Sequence, residues 1–146
     1  MPETLASAVV PADAETTWQV VRDFNGLPGW HPAITGCHLE DGPADRVGAI
    51  RNLTLADGAA VREILVEIDD RERSLTYAIL DSPFPVDDYR STIRVVPLTS
   101  TGESFVSWSV RFDCDRADSE RLSALFSEDV FGTGLRGLFS YFSPDV

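Results

Sequence analysis

Arg51 and Glu63 are the residues best placed to do chemistry, because each is a lone charge on an otherwise apolar strand face. Side chains alternate along a strand, so Arg51, Leu53 and Leu55 share one face of one strand, and Val61, Glu63 and Leu65 share one face of the next. A buried charge without a partner is costly, so the two are either a structural ion pair or the polar anchor for something met at that surface. As catalytic groups, Glu63 would be a general acid or base and Arg51 the stabiliser of an enolate or other oxyanion. Leu53 and Leu65 desolvate the carboxyl and raise its pKa, whereas Arg51 lowers it.

The turn between these strands contains Asp57-Gly58. A strict two-residue loop pairs Leu55 with Ala60 and Leu53 with Arg62, which mixes apolar and charged groups on both faces. A three-residue loop, Asp57-Gly58-Ala59, pairs Leu55 with Val61 and Leu53 with Glu63. It leaves Arg51 diagonal to Glu63 and opposite Leu65, and the buried pattern favours it.

Other candidates are fewer. His31 follows Trp30 and is the one plausible histidine acid or base, with a solvated loop histidine as the plainer alternative. Tyr77 and Tyr89 read as pocket-lining residues able to donate to a carbonyl, and Trp108 as a cavity wall. His31, His38 and Asp41 make a poor metal set, so no metal is expected. No Ser-His-Asp arrangement and no glycine-rich dinucleotide loop occurs, and no cofactor is expected.

Composition narrows the chemistry further. The chain has 146 residues, 43% hydrophobic and 25% charged, which suits one domain over 1–146. Its formal net charge is −12, and all 12 basic residues are arginine. Without lysine there is no Schiff-base chemistry and no phosphate-loop lysine. An acidic balance without a basic stripe argues against nucleic acid and anionic membrane as partners. Cys37 and Cys114 read as free thiols, and no apolar run reaches membrane-spanning length, so a cytoplasmic protein without membrane insertion is expected.

The elements that must position these residues follow from pattern. Thr4 to Val10 reads as a strand, and Asp13 caps a helix over Ala14 to Phe24. A short second helix or turn spans Leu27 to Ile34, and strand Thr35 to Glu40 follows. After the Arg51/Glu63 hairpin come strands Leu75 to Leu80, Tyr89 to Pro97 and Phe105 to Asp113. The last two bury Tyr89, Ser91, Ile93 and Val95, and Val106, Trp108, Val110 and Phe112. The loop Ser82 to Pro85 between two of these strands is a candidate pocket rim.

Asp118 caps a terminal helix running to about Phe142, closed by Ser143-Pro144. Its apolar stripe jumps sides between Leu122, Leu125, Phe126 and Phe131, Leu135, Leu138, Phe139, Phe142, which predicts a kink or a break at Gly132-Thr133-Gly134.

This element order, with P-A-D-A-E-T-T-W-Q-V-V-R-D-F at 11–24, W-H-P-A-I at 30–34, G-A-I-R at 48–51, V-R-E-I-L at 61–65, Y-R-S-T at 89–92 and Trp108, resembles the START and birch-pollen-allergen-like superfamily and its polyketide cyclase/dehydrase group. The resemblance implies an α+β helix-grip fold. A curved seven-stranded antiparallel sheet would wrap a long C-terminal helix, with two short helices between strands 1 and 2. It also implies an apolar cavity for a hydrophobic small molecule. Similarity to the plant abscisic-acid receptors maps a polar network onto Glu63, Tyr89 and Ser91. Similarity to the plant lachrymatory-factor synthase maps catalytic roles onto Arg51 and Glu63. The receptors' carboxylate-binding lysine has no counterpart here.

The expected ligand-binding residues are therefore Trp30, Leu53, Leu55, Leu65, Tyr77, Ile79, Tyr89, Ser91, Trp108 and Leu135. Three readings follow: a monomeric or homodimeric module binding a small hydrophobic or aromatic metabolite, a cofactor-independent cyclase, dehydratase or isomerase, and a protein-interaction module with an apolar patch near Pro83 to Pro85.

Overall fold

Alternating side chains dictate the main architectural feature, a sheet with one oily face and one polar face. The computed structural model of the protein describes residues 1–143. Seven strands, β1 (Glu3–Val10), β2 (Ile34–Leu39), β3 (Ile50–Leu55), β4 (Ala60–Asp69), β5 (Ser74–Asp81), β6 (Asp87–Leu98) and β7 (Glu103–Asp113), form one antiparallel sheet in the order β1-β7-β6-β5-β4-β3-β2. The inward residues of β6 and β7 are those the alternation predicts, with Ile93, Val95, Val106, Trp108 and Phe112 all buried. Register shifts within β4, at Arg62/Glu63 and Leu65/Glu67, kink that strand against β5; bulges of this kind re-aim side chains and curve the sheet.

Between β1 and β2 lie helix α1 (Ala14–Val21) and a single 3₁₀ turn (Leu27–Gly29). Asp13 caps α1 as expected, its carboxylate accepting from Thr16 N–H at 2.8 Å. The helix stops at Val21 rather than Phe24. Phe24 is nevertheless fully buried, in the turn that follows.

The hairpin register differs from expectation by two residues. Arg51 pairs directly with Glu63 and Leu53 with Val61, and the three-residue loop is Ala56-Asp57-Gly58. Gly58 N–H donates to the Leu55 carbonyl at 2.9 Å, and Gly58 then adopts φ +88°. In a three-residue hairpin loop a type I turn is followed by one left-handed residue, so glycine must close this loop and cannot sit in its middle. A slip of two keeps every side chain on its expected face. The charges therefore remain inward but meet head-on.

The C-terminal helix runs unbroken from Ser119 to Tyr141, so the chain does not break at Gly132-Thr133-Gly134, and its irregularity takes the form of a π-helical segment. Helices α2 (Ser119–Ala124) and α3 (Thr133–Tyr141) flank a π-helical segment, Leu125–Gly132. Buried residues fall at Leu122, Phe126, Phe131, Leu135 and Leu138, and the single step of five crosses the π segment. A π segment widens the helix by one residue, so it brings the two halves of the stripe back into phase against the sheet. Phe139 is the exception, lying exposed. Asp118 makes no side-chain cap; a 3₁₀ turn at Arg116–Asp118 leads into α2 instead. Pro144 of the expected stop lies outside the described residues.

Candidate functional site

Glu63 sits at the β4 bulge, buried, with Arg51 opposite it on β3. Arg51 Nε donates to Glu63 Oε1 at 2.9 Å and its Nη2 lies 2.7 Å from the same oxygen. No described residue donates to Oε2. That oxygen is not sealed either, since the one fully buried side-chain polar atom without a partner among the described residues is Nε1 of Trp30. Glu63 lines a cavity of about 300 Å³ between the sheet and the C-terminal helix, so Oε2 faces into it. Burial pushes the Glu63 carboxyl above its ordinary pKa of 4.5 against the opposing pull of the Arg51 charge and hydrogen bond.

The guanidinium itself does not reach the cavity. Its Cζ lies 3.9 Å from the Phe24 ring centroid and 4.9 Å from that of Tyr77, and Nη1 donates to the Phe24 carbonyl at 3.2 Å. Two aromatic faces, a carbonyl and a carboxylate thus satisfy a planar cation behind Glu63. From there Arg51 positions the carboxylate rather than any oxyanion in the cavity.

Of the expected ligand-binding residues, Leu53, Leu55, Tyr77, Ile79, Tyr89 and Trp108 line the cavity, and Trp30, Leu65, Ser91 and Leu135 do not. Each departure has a packing cause. Ser91 lies beneath Trp108, taking its indole N–H at 3.0 Å and donating to the Ser109 carbonyl at 2.9 Å. The same indole N–H reaches the Tyr77 hydroxyl at 3.1 Å, and burial pushes the Tyr77 phenol up to about 12. Leu65 is paired with Tyr77 one rung beyond Glu63 and is spent in the core, as is Leu135. Trp30 packs behind Trp108, with ring centroids 5.7 Å apart.

His31 is not a solvated loop residue but is 1% exposed and lines the cavity. Its Nδ1 accepts from Ala33 N–H at 3.2 Å, which leaves Nε2 to donate to the Val130 carbonyl at 2.8 Å. Both nitrogens are thereby committed to backbone, which suits a clamp better than an acid or base. Burial holds the imidazole pKa below 6.5, outweighing the Val130 carbonyl that raises it; the Arg51 charge also lowers it. The folded protein therefore favours neutral His31. The stability it contributes is complete above pH 6.5 and is lost as pH falls through the folded pKa. Thermal melts between pH 5 and 7.5 are expected to show the midpoint falling toward acid, with a shallower slope in His31→Leu; equal slopes would refute the clamp.

The π segment and hairpin turn supply lining residues that sequence reasoning did not single out. Phe126 and Val130 cover the cavity, and the exposed carboxylates Asp57 and Asp129 lie at its rim. The jump in the helix stripe was the available signal, because a widened turn is one way to cross it. Phe84 of the Ser82–Pro85 loop also lines the cavity and meets the Phe126 ring edge-on at 5.4 Å. Its aromatic ring thus turns inward rather than contributing to an outer apolar patch. Among the described residues no cluster of three His, Cys, Asp or Glu could hold a metal ion. No helix there is long and apolar enough to cross a membrane.

A seven-stranded sheet gripping a long helix over an apolar cavity defines a helix-grip protein. Within that class the chain belongs to the polyketide cyclase / dehydrase and lipid transport family, whose model matches residues 1–142. It is similar to the solved structure of the protein XoxI from Bacillus cereus, with 35% identity, a TM-score of 0.88 and coverage of 98% of this chain and 96% of that one. It is also similar to a solution structure from Thermobifida fusca, with 30% identity, a TM-score of 0.89 and coverage of 99% and 95%. The abscisic acid receptor PYL1 of Arabidopsis thaliana is 26% identical over 145 residues, 94% of this chain; the chain spans 66% of that receptor's length.

Proposed function

We propose that the protein binds a small hydrophobic or aromatic metabolite in the cavity between sheet and C-terminal helix. The observation that carries this reading is an apolar enclosure into which one unpartnered carboxylate oxygen, Glu63 Oε2, projects. Ligand pockets have this composition, with mostly apolar walls and a few placed polar groups that fix orientation. At about 300 Å³ the cavity suits a compound of one or two rings. Membership of a family that includes lipid transport supports the same reading. The free thiols Cys37 and Cys114 fit a reducing compartment such as the cytoplasm.

Trp108 lines the cavity, so its emission reports occupancy. Titration with apolar aromatic compounds is expected to give saturable quenching or shift of tryptophan fluorescence together with a raised melting temperature. A flat response across such a series would overturn the proposal. A second reading, cofactor-independent proton transfer by Glu63, is favoured by the same unpartnered Oε2 and by the raised pKa of its carboxyl. Turnover that disappears in Glu63→Gln while ligand affinity persists would select it over binding alone.

A further inference from the structure

We infer that the ligand presents a hydrogen-bond donor, a hydroxyl or an amine, to Glu63, and that the cavity rejects carboxylic acids. This rests on the binding function proposed above and specifies its chemistry. The cavity lining sets the chemistry. It includes three acids, Glu63, Asp57 and Asp129, and no arginine among the described residues, while the chain has no lysine. Arg51 spends two nitrogens on Oε1 and a third on the Phe24 carbonyl. His31 spends its N–H on the Val130 carbonyl. The Trp108 indole N–H is divided between the hydroxyls of Tyr77 and Ser91. The cationic and ring N–H donors around the cavity are thus committed to protein acceptors, and the donors left in the lining are the neutral hydroxyls of Tyr77 and Tyr89.

Glu63 Oε2 remains as an acceptor in a low-dielectric wall. A carboxylate can only accept when ionised, and a buried acceptor left without a donor is costly. A ligand O–H or N–H removes that cost. A ligand carboxylate would instead set like charges together away from water, with Asp57 and Asp129 adding repulsion on the way in. PYL1 is by name a receptor for an acid, so on this reading the present chain differs from that relative in ligand charge.

The test uses the intact wild-type protein and probes of one shape at pH 7.5: naphthalene, 2-naphthol, 2-naphthylmethylamine and 2-naphthoic acid, compared by calorimetry and thermal shift. The expected order places 2-naphthol about tenfold or more tighter than naphthalene, since a hydrogen bond to a charged group contributes that much. Naphthoic acid is expected to bind at least tenfold more weakly than naphthalene. The amine arm separates the two donor sources; preference for either donor over naphthalene supports the inference.

Equal affinity of naphthalene and both donor probes would overturn the inference while leaving the binding function standing. So would tighter binding of naphthoic acid. Absence of binding by all four would overturn the binding function and the inference with it. The paired variant Arg51→Met/Glu63→Leu, which removes both buried charges and the acceptor at position 63 together, is expected to bring the naphthol-to-naphthalene affinity ratio close to one. An unchanged ratio there would also overturn the inference.

Discussion

Arg51→Met is expected to destabilise the protein by about 3–5 kcal/mol, the cost of stranding one member of a buried ion pair. The substitution removes both contacts to Glu63 Oε1 and the donor to the Phe24 carbonyl, although a methionine still fills much of the space between Phe24 and Tyr77. At 146 residues a loss of this size lowers the melting temperature by roughly 6–20 °C.

The pH dependence identifies the cause. With Arg51 gone, burial acts on Glu63 unopposed and its carboxyl rises further above 4.5. A carboxyl whose folded pKa is raised loses stability as pH climbs from the unfolded value through the folded one. The variant should accordingly recover part of its deficit at pH 5 relative to pH 8. Adding Glu63→Gln should restore most of the stability at neutral pH, because replacing both partners leaves no buried charge. Chemical denaturation of the three proteins at both pH values checks this. A single variant within 1 kcal/mol of wild type would show that the pair carries no structural burden.

Gly137→Ala is expected to cost about 3 kcal/mol or more, well above the typical penalty for adding one methyl. A Cβ at this position would stand 2.0 Å from the Trp30 carbonyl oxygen and 2.7 Å from Pro32 Cδ. The obstacle is backbone and cannot rotate away. Trp30 and His31 are held to the Leu27 carbonyl by N–H bonds of 3.2 and 2.9 Å, so α3 must retreat instead. That retreat stretches the His31 to Val130 link and opens the cavity on the helix side. The gain in helix propensity, about 1 kcal/mol, does not offset it. Gly132→Ala, in the same helix, meets Ser127 O at 3.1 Å and should lose far less. Equal melting temperatures for the two variants would refute the close-approach account.

Gly134 works in the same way, since a Cβ there would meet His31 Cδ2 at 2.5 Å and Trp108 Cζ3 at 2.7 Å. In the sequence these glycines read as helix weakeners and predict a kink, because local propensity says nothing about what a helix rests against. Their role is tertiary and becomes visible only when the Trp30-His31 loop lies across them. The burial of His31 has the same origin.

Other features were open to reading. The alternation of Val106, Trp108, Val110 and Phe112 settles which face of β7 is inward without any structure. The faces of Arg51 and Glu63 follow by the same logic, and a register shift of two leaves them unchanged because strand side chains repeat with period two. The register itself needed a conformational fact, namely which loop position must be left-handed. Asp57 and Asp129 carry no local mark of their place at the rim. They arrive there from a turn and a helix that meet only in the folded chain.

A chain one residue shorter between Phe126 and Phe131 would space its buried residues as an ordinary α-helix does, and both halves would still face the sheet. What it would lose is the widened turn, with the Val130 carbonyl that His31 holds and the Asp129 carboxylate beside the opening. Folding and ligand choice are therefore separable at this point of the molecule. A single-codon deletion or insertion here can redraw the entrance during descent while leaving the core intact.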